Sequence, residues 1–414
     1  MMAGTALVIA YYFPPLGMGG VQRMAKLVKY LPKCGYDVLV LTVKPIRYPA
    51  QDEFLLRELP ATVKVYRSGS HDPARLAHLF HIPIGSGAMA SMAKNKGLFW
   101  PDAKIGWKGP ALVLAREIID WHPVDIILSS SPPITGHLIG MALKERYGLP
   151  WVADFRDIWE MRPPEKRYAD PRIIEKSNAL LQKIGRTADA VTAVNASVGK
   201  RVSSQAIAIM GGFDPADSSK SHGDPSRDTF TLTHMGTVSE VTPMTPFFAA
   251  AQIIAARNNT FAEKVRFVFI GELDGGRIRQ QAAAYGLADR IHLTGYLSHA
   301  DALREASRAG ALLISVADGF PETLPGKIFD CLALPAPLLA AVPFGGEPEK
   351  LIASTHGGFS ADINHPEVLA DRMEALFVEW MAGKRWVKND LSGYTRPAMA
   401  AEFARLFDEV RGNG

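Results

Sequence analysis

"ALVIAYYFPPLGMGGVQR", residues 6–23, begins as an apolar run and then turns a corner. The run has the length of one buried strand. Pro14 and Pro15 fix the backbone directly after it, and Gly17, Gly19 and Gly20 leave the main chain bare. From about Val21 the spacing becomes helical. A strand, a stiff corner, a bare backbone and a helix start together form a β–α unit whose helix amides face a ligand, preferably an anion. It is not the dinucleotide fingerprint, because after Gly17 and Gly19 the position that wants the third glycine holds Gln22.

The same alternation continues outward from this stretch. "DVLVLT" (37–42), "DIILSS" (125–130), "WVAD" (151–154) and "AVTAV" (190–194) read as buried parallel strands, with amphipathic helices over 21–33, 110–121 and 134–147. It then breaks at "GGFDPADSSKSHGDPSRD" (211–228), whose Gly, Pro, Ser and Asp predict a linker. Beyond it come "TFTLTHMG" (229–236), "VRFVFIG" (265–271), "RIHLTG" (290–295), "ALLISV" (311–316) and "PLLAAV" (337–342), with helices at 245–257, 275–286, 299–308 and 326–334. The expected fold class is α/β, with two Rossmann-like, doubly wound parallel-sheet domains facing a central cleft. The first spans 1–210 and the second 229–390, and a C-terminal helix within 391–414 packs back on the first. At 414 residues the chain is too long for one core.

The net charge of +4 suits an anionic ligand and is too small to imply nucleic acid. Two distant cysteines, Cys34 and Cys331, build no disulfide framework, which predicts a reducing, cytoplasmic setting. The longest apolar stretch, "LALPAPLLAAVPF", carries three prolines and is shorter than the roughly 20 residues a membrane helix needs.

Chemistry concentrates in "GFPETLPGKIFDCLA" (319–333), which follows the strand "ALLISV". Pro325 and Gly326 open a helix whose first turn presents Lys327. A point charge beside a helix start reads as a diphosphate site. Asp330 is placed to accept ribose hydroxyls, and Glu322 to hold sugar hydroxyls. His234, at the end of a strand, is a further candidate.

This arrangement resembles the E-x7-E region of glycosyltransferase family 4, retaining enzymes of the GT-B fold, with Asp330 at the second Glu. "LPGKIFDCLALPAPLLAA", "YYFPPLGMGGVQR", "DIILSSSPPITGHLIG", "PWVADFRDIW", "FIGELDG" and "IHLTGYLSHADAL" are similar to the branch found in capsule, exopolysaccharide and lipopolysaccharide synthesis. The resemblance implies transfer of a sugar from a nucleoside-diphosphate sugar to a hydroxyl of a glycan or lipid-linked glycan. It assigns Gly19, Gly20, Gly271 and Tyr296 to the donor side. It also places Thr323, Leu324, Pro325 and Gly326 against the diphosphate and sugar, with Glu322 and Lys327 as catalytic groups and Asp330 on the ribose. No metal and no cofactor beyond the sugar donor are expected.

Two departures stand out. Where the family carries an Arg and a Lys after the first strand of the second domain, "HMGTVSEVTPMTPF" (234–247) offers Gly236 and Thr237 and no Lys or Arg. Arg23, Arg156 or Lys327 must then substitute. Where many members have a histidine after the fourth strand stand Ser129, Ser130 and Ser131. That turns attention to Asp154 and Arg156 as catalytic candidates, and to Ser130 and Asp157 as acceptor contacts. Their plain structural alternatives are an ion pair and a helix cap. Trp100 and Trp107, in "GLFWPDAKIGWKGP" (97–110), are expected to form an acceptor platform. Residues 162–186 hold seven Lys/Arg against three Asp/Glu and suggest a basic face for peripheral membrane contact, at the inner face of the cell membrane. The competing reading is a non-catalytic GT-B partner or scaffold in glycan assembly.

Overall fold

Alternation with a period of two builds the first sheet. Along β1 (Gly4–Ile9), Ala6 and Val8 join the core on one face, while Leu7 and Ile9 join the core on the other. The structure, a computed structural model, describes residues 4–17, 19–48, 51–81, 99–158, 170–219, 223, 226–271 and 273–412. Within these, β1 is joined by β2 (Tyr36–Val43), β3 (Lys64–Ser68), β4 (Ile126–Ser131), β5 (Trp151–Phe155), β6 (Ala190–Ala193) and β7 (Ile207–Ala208). The sheet is parallel and runs β3-β2-β1-β4-β5-β6-β7. One face is covered by Met24, Leu27 and Val28 of helix Gly19–Tyr30 and by Met399, Phe403 and Phe407 of helix Arg396–Gly412. Helices Lys108–Trp121, Thr135–Tyr147 and Pro171–Thr187 supply Ala115, Ile139 and Ile184 to the opposite core.

The second unit, Gly212–Thr395, repeats the plan with its own core. Its strands are β8 (Phe230–Met235), β9 (Val265–Ile270), β10 (Ile291–Leu293), β11 (Ala311–Ser315), β12 (Leu338–Val342) and β13 (Gly358–Asp362). All are parallel, in the order β10-β9-β8-β11-β12-β13. Each sheet reverses its strand order once, between β1 and β4 and between β8 and β11, and ligands of such sheets bind outside the carboxyl ends at that point.

The start of the second unit differs from the expected one. The stretch 211–228 is not a free linker at its start. Phe213 bridges Thr395, and Asp214 caps helix Pro215–Ser218, so the segment from Gly212 already belongs to the second unit. Residues 220–222, 224 and 225 of that stretch lie outside the described residues. The helix from Arg396 groups with the first unit. The apolar stripe of helix Pro171–Thr187 is directed inward: Leu180, Leu181 and Ile184 are buried, which leaves Ile174 as its exposed large apolar side chain. The apolar stripe therefore adds nothing to the membrane face expected over 162–186, whose residues 162–169 lie outside the described part. Among the described residues, no helix is long and apolar enough to cross a membrane.

Candidate functional site

The carboxyl edge of the first sheet is held by buried polar pairs. Asp154, at the end of β5, is fully buried and receives both arms of Arg23, Nε at 3.1 Å and Nη2 at 2.9 Å. Ser130 donates to it at 3.0 Å and Thr192 at 2.9 Å, while Arg23 Nη2 also reaches the Ile209 carbonyl. Burial would push the Asp154 carboxyl up. The charge and hydrogen bonds of Arg23, with Thr192 and Arg156, outweigh it and hold the group below the usual carboxylate range. Four donors leave this carboxylate no role as a base. Arg23 is likewise engaged and 5% exposed, so it is not a phosphate ligand, and Ser130 is not an acceptor contact. Three expected site residues are thus corrected to one structural cluster.

Arg156 does not pair with Asp154 as an ion pair would require. Its Nε donates to Ser131 O at 2.7 Å and Nη2 to Pro132 O at 3.1 Å, and Nη1 bonds the Gly20 carbonyl. The guanidinium thereby ties the loop after β4 to the first turn of helix Gly19–Tyr30, at the strand-order reversal. Gly20 is exposed there, and Asp157 is half-buried beside Arg156. Met18, in the opening stretch, and the side of Gly19 lie outside the described part.

Trp107 is a correction of the expected acceptor platform. It is fully buried, donates to Ser68 Oγ at 2.8 Å and meets the Tyr11 ring edge-on. Its loop is fastened by Lys104, whose ammonium is 3.2 Å from Asp72, and by Asp102, which accepts from the Thr135 amide. Residues 97 and 98 of the loop lie outside the described part. Trp100 stays half-buried, bonded to Ser177 Oγ at 3.1 Å with the Lys176 ammonium 3.8 Å from its ring centre. His137 is buried and packed 4.3 Å from the Phe155 ring.

The second unit brings the remaining candidates together. The loops after β8, β9 and β10 each turn on a glycine with positive φ: Gly236 at 89°, Gly271 at 140° and Gly295 at 72°. The Gly236 amide bonds Ile270 O, and the Gly271 amide bonds Gly295 O, so the three corners are stitched side by side. A Cβ on Gly236 would stand 3.9 Å from Lys327 Nζ, and one on Gly271 would stand 3.5 Å from Gly236 Cα. These are ordinary contact distances, so it is the positive φ at each corner, not crowding, that calls for glycine. Tyr296 follows Gly295 and is 57% exposed, with a ring face available for stacking. Gly271→Ala is expected to destabilise the second unit by about 1–3 kcal/mol through backbone strain alone, measured by urea unfolding.

Lys327 opens helix Lys327–Ala333, after a turn in which the Thr323 amide bonds Phe320 O. With only seven residues that helix stacks few peptide dipoles, so the Lys327 ammonium supplies most of the positive charge. Leu324, Pro325 and Thr323 are half-buried and Gly326 is exposed, while Glu322 and Asp330 are both partly exposed. Burial lowers the Lys327 pKa to about 8, against a small opposing effect of Cys331.

His234 is not a direct donor contact, since it is fully buried. Its Nε2 lies 2.9 Å from Lys327 Nζ. Burial and then the charge of Lys327 pull its pKa down to about 3, so the ring is neutral. Sequence reasoning missed this couple, because residues so far apart in the chain give no spacing signal. Thr237 is exposed and its carbonyl lies near the same imidazole nitrogen. Among the described residues, no group of three or more His, Cys, Asp or Glu is placed to hold a metal ion.

Residues 18–207 match the glycosyl transferase 4-like domain, and residues 229–378 match glycosyl transferases group 1. Sucrose-phosphate synthase from Thermosynechococcus elongatus is similar over 99% of this chain and 100% of its own, at 13% identity and a TM-score of 0.66. A glycosyltransferase from Rickettsia africae covers 99% of each chain at 15% identity and a TM-score of 0.63. WaaG, a glycosyltransferase involved in lipopolysaccharide biosynthesis, covers 99% of this chain and 98% of its own at 11% identity, with a TM-score of 0.58. Such distant likeness shows the fold. No curated protein matches the sequence. With a family domain on each of its two parallel-sheet units, the chain belongs to the glycosyltransferases of the GT-B fold.

Proposed function

We propose that the second unit binds a nucleoside-diphosphate sugar, and that the chain moves the sugar, with retention, to a hydroxyl of a glycan or lipid-linked glycan in surface polysaccharide synthesis. The observation that carries this reading is the meeting of Gly236, Gly271 and Gly295 with Lys327 at the carboxyl edge of one sheet. Three bare corners and one ammonium suit a diphosphate. Tyr296 is exposed on the Gly295 corner, where a base would stack, and Asp330 and Glu322 flank Lys327 in sequence, suited to ribose and sugar hydroxyls. In the proposed reaction the bond from the anomeric carbon to the diphosphate oxygen breaks as the acceptor oxygen bonds to that carbon. The acceptor proton passes to the departing phosphate. The Lys327 ammonium takes the charge that a divalent cation takes in other transferases. A cytoplasmic site of action, where nucleotide sugars are made, belongs to this proposal, as does contact with an acceptor carried on a membrane.

The first test is a thermal-shift titration with UDP, GDP, ADP, dTDP and CMP on wild type and Lys327→Ala. A ligand at one hundred times its dissociation constant adds about 2.7 kcal/mol of stability. One nucleotide is expected to stabilise the wild type and to have little effect on the variant. If none does so at millimolar concentration, the scaffold reading, favoured by the missing Arg and Lys in 234–247, takes its place.

A further inference from the structure

The second sheet opens at its carboxyl edge, and a histidine stands in the opening. β8 stays paired with β9 as far as Met235 and Ile270, but its ladder with β11 stops at Thr233 and Leu312. β11 meanwhile continues with β12 to Ser315 and Ala341. In that interval the His234 ring lies with Nδ1 3.3 Å from the Leu313 carbonyl and Nε2 2.9 Å from Lys327 Nζ. An ammonium only donates, so Nε2 is the acceptor and the ring proton sits on Nδ1, donated to Leu313. The approach of Nε2 to the Thr237 carbonyl, 3.3 Å, then carries no proton.

We propose that His234 is a positioning residue for the donor: a fixed, neutral acceptor that holds the Lys327 ammonium at the Gly236 corner, ready for the diphosphate. The inference rests on the donor reading above. The chemistry of the alternatives explains the choice of residue. A carboxylate in this position would neutralise the lysine and compete with phosphate. An apolar side chain would leave a half-enclosed ammonium without an acceptor and favour the uncharged amine. A neutral imidazole satisfies one N–H and leaves the other two, with the whole positive charge, for the ligand.

The remaining ionisable groups around the couple can be named. Cys331, one turn along the helix of Lys327, is buried and its thiol is pushed up to about 12, so it stays neutral. Asp330 adds to that rise, Lys327 and Lys388 oppose it, and Lys388 is held by the carbonyls of Cys331, Leu332 and Ala336. Glu322 lies in the loop before the helix. With Lys327 near 8, an anion that binds the ammonium form loses affinity as the pH rises through that value.

The test compares wild type, His234→Leu, His234→Asn and Lys327→Met. In the free proteins, the titration of the Lys327 side chain is followed by NMR of 13C-labelled lysine, with Lys327→Met giving the assignment. The leucine variant keeps the volume without the acceptor, so the Lys327 midpoint is expected to fall by at least one pH unit. The asparagine oxygen restores an acceptor and returns the midpoint toward wild type. Affinity for the nucleoside diphosphate that best stabilises the wild type is then measured from pH 6 to 9.5. Wild-type affinity is expected to be flat at first and to drop up to tenfold per pH unit above 8. In His234→Leu the drop begins at lower pH, and at pH 7.5 affinity is at least tenfold weaker. An unchanged Lys327 midpoint and unchanged affinity in His234→Leu overturn the proposal, and correct folding of the variant is confirmed by its unfolding midpoint. If the midpoint moves as expected but no nucleotide binds the wild type, the couple stands and the donor reading falls.

Discussion

Asp154→Leu is expected to cost the first unit about 3–5 kcal/mol, the usual effect of removing one partner from a buried ion pair. The carboxylate is fully buried and receives Arg23 twice, Ser130 and Thr192. Without it the Arg23 guanidinium keeps the Ile209 carbonyl, a contact with Met399 sulfur and the Phe403 ring at 5.6 Å, but no countercharge. A large share of the loss should be recovered by adding Arg23→Met, which removes the stranded charge. Recovery stays incomplete because the Ser130 and Thr192 hydroxyls still lack their acceptor. The sign of the pH dependence follows from the depressed carboxyl. Its stabilisation is present above the ordinary aspartate value of 3.8 and is lost as the pH falls through the lower folded value, so wild type and variant converge in acid. Urea unfolding at several pH values, followed by the fluorescence of the buried Trp107 and Trp151, checks all three statements. A loss under 1 kcal/mol for Asp154→Leu would mean that the cluster is not structural, and would reopen a role for Asp154 in chemistry.

How much of this was legible beforehand depends on what kind of signal each feature leaves. β1, β4 and β11 are short apolar runs, and such a run places its strand to within a residue or two. β3 went unread because Lys64 and Arg67 interrupt "KVYRS", as suits a strand at the sheet's edge. β13, "GFSAD", also lies at an edge and lacks the β-branched residues that mark a central strand. The glycine corners were legible singly, since a glycine just past a strand signals a turn with positive φ. That Gly236, Gly271 and Gly295 stand side by side required the strand order, which periodicity does not contain.

The charged residues divide in the same way. "VADFRD" advertises chemistry because two acids and an arginine follow a buried run. Yet which charge meets which is fixed across the sheet: Asp154 takes Arg23, and Arg156 takes three carbonyls. Trp107 failed as a ligand platform for a related reason. Its indole N–H found Ser68, which allows a tryptophan to be fully buried, and no local pattern distinguishes that from an exposed ring. Lys327 was legible because Pro325 and Gly326 announce a helix start. His234 was legible only as a candidate at a strand end, and its contact with Lys327 was not.

Lys327→Ala is expected to lower turnover of the sugar donor by roughly 10²–10³-fold, corresponding to about 2.7–4 kcal/mol of lost transition-state stabilisation. In the ground state the diphosphate already carries its charge. As the bond to the anomeric carbon breaks, further negative charge collects on the departing oxygen, and an ammonium set against it gains most at that moment. The effect is large here because 234–247 contains no Lys or Arg to share the work, so few other cations can stand in. Lys327→Arg keeps the charge, but a guanidinium cannot occupy the place of an ammonium held by His234 at 2.9 Å, and it should recover only part of the rate. Wild-type turnover should also fall above about pH 8 as the amine loses its proton, while Lys327→Ala shows no such limb. Nucleotide release from the sugar donor selected by the thermal-shift panel, measured with and without acceptor glycans, tests this directly. A loss smaller than tenfold in Lys327→Ala, with the alkaline limb retained, would move the leaving-group role to a cation elsewhere in the chain, and Arg156, at the strand-order reversal of the first sheet, would be the next to replace.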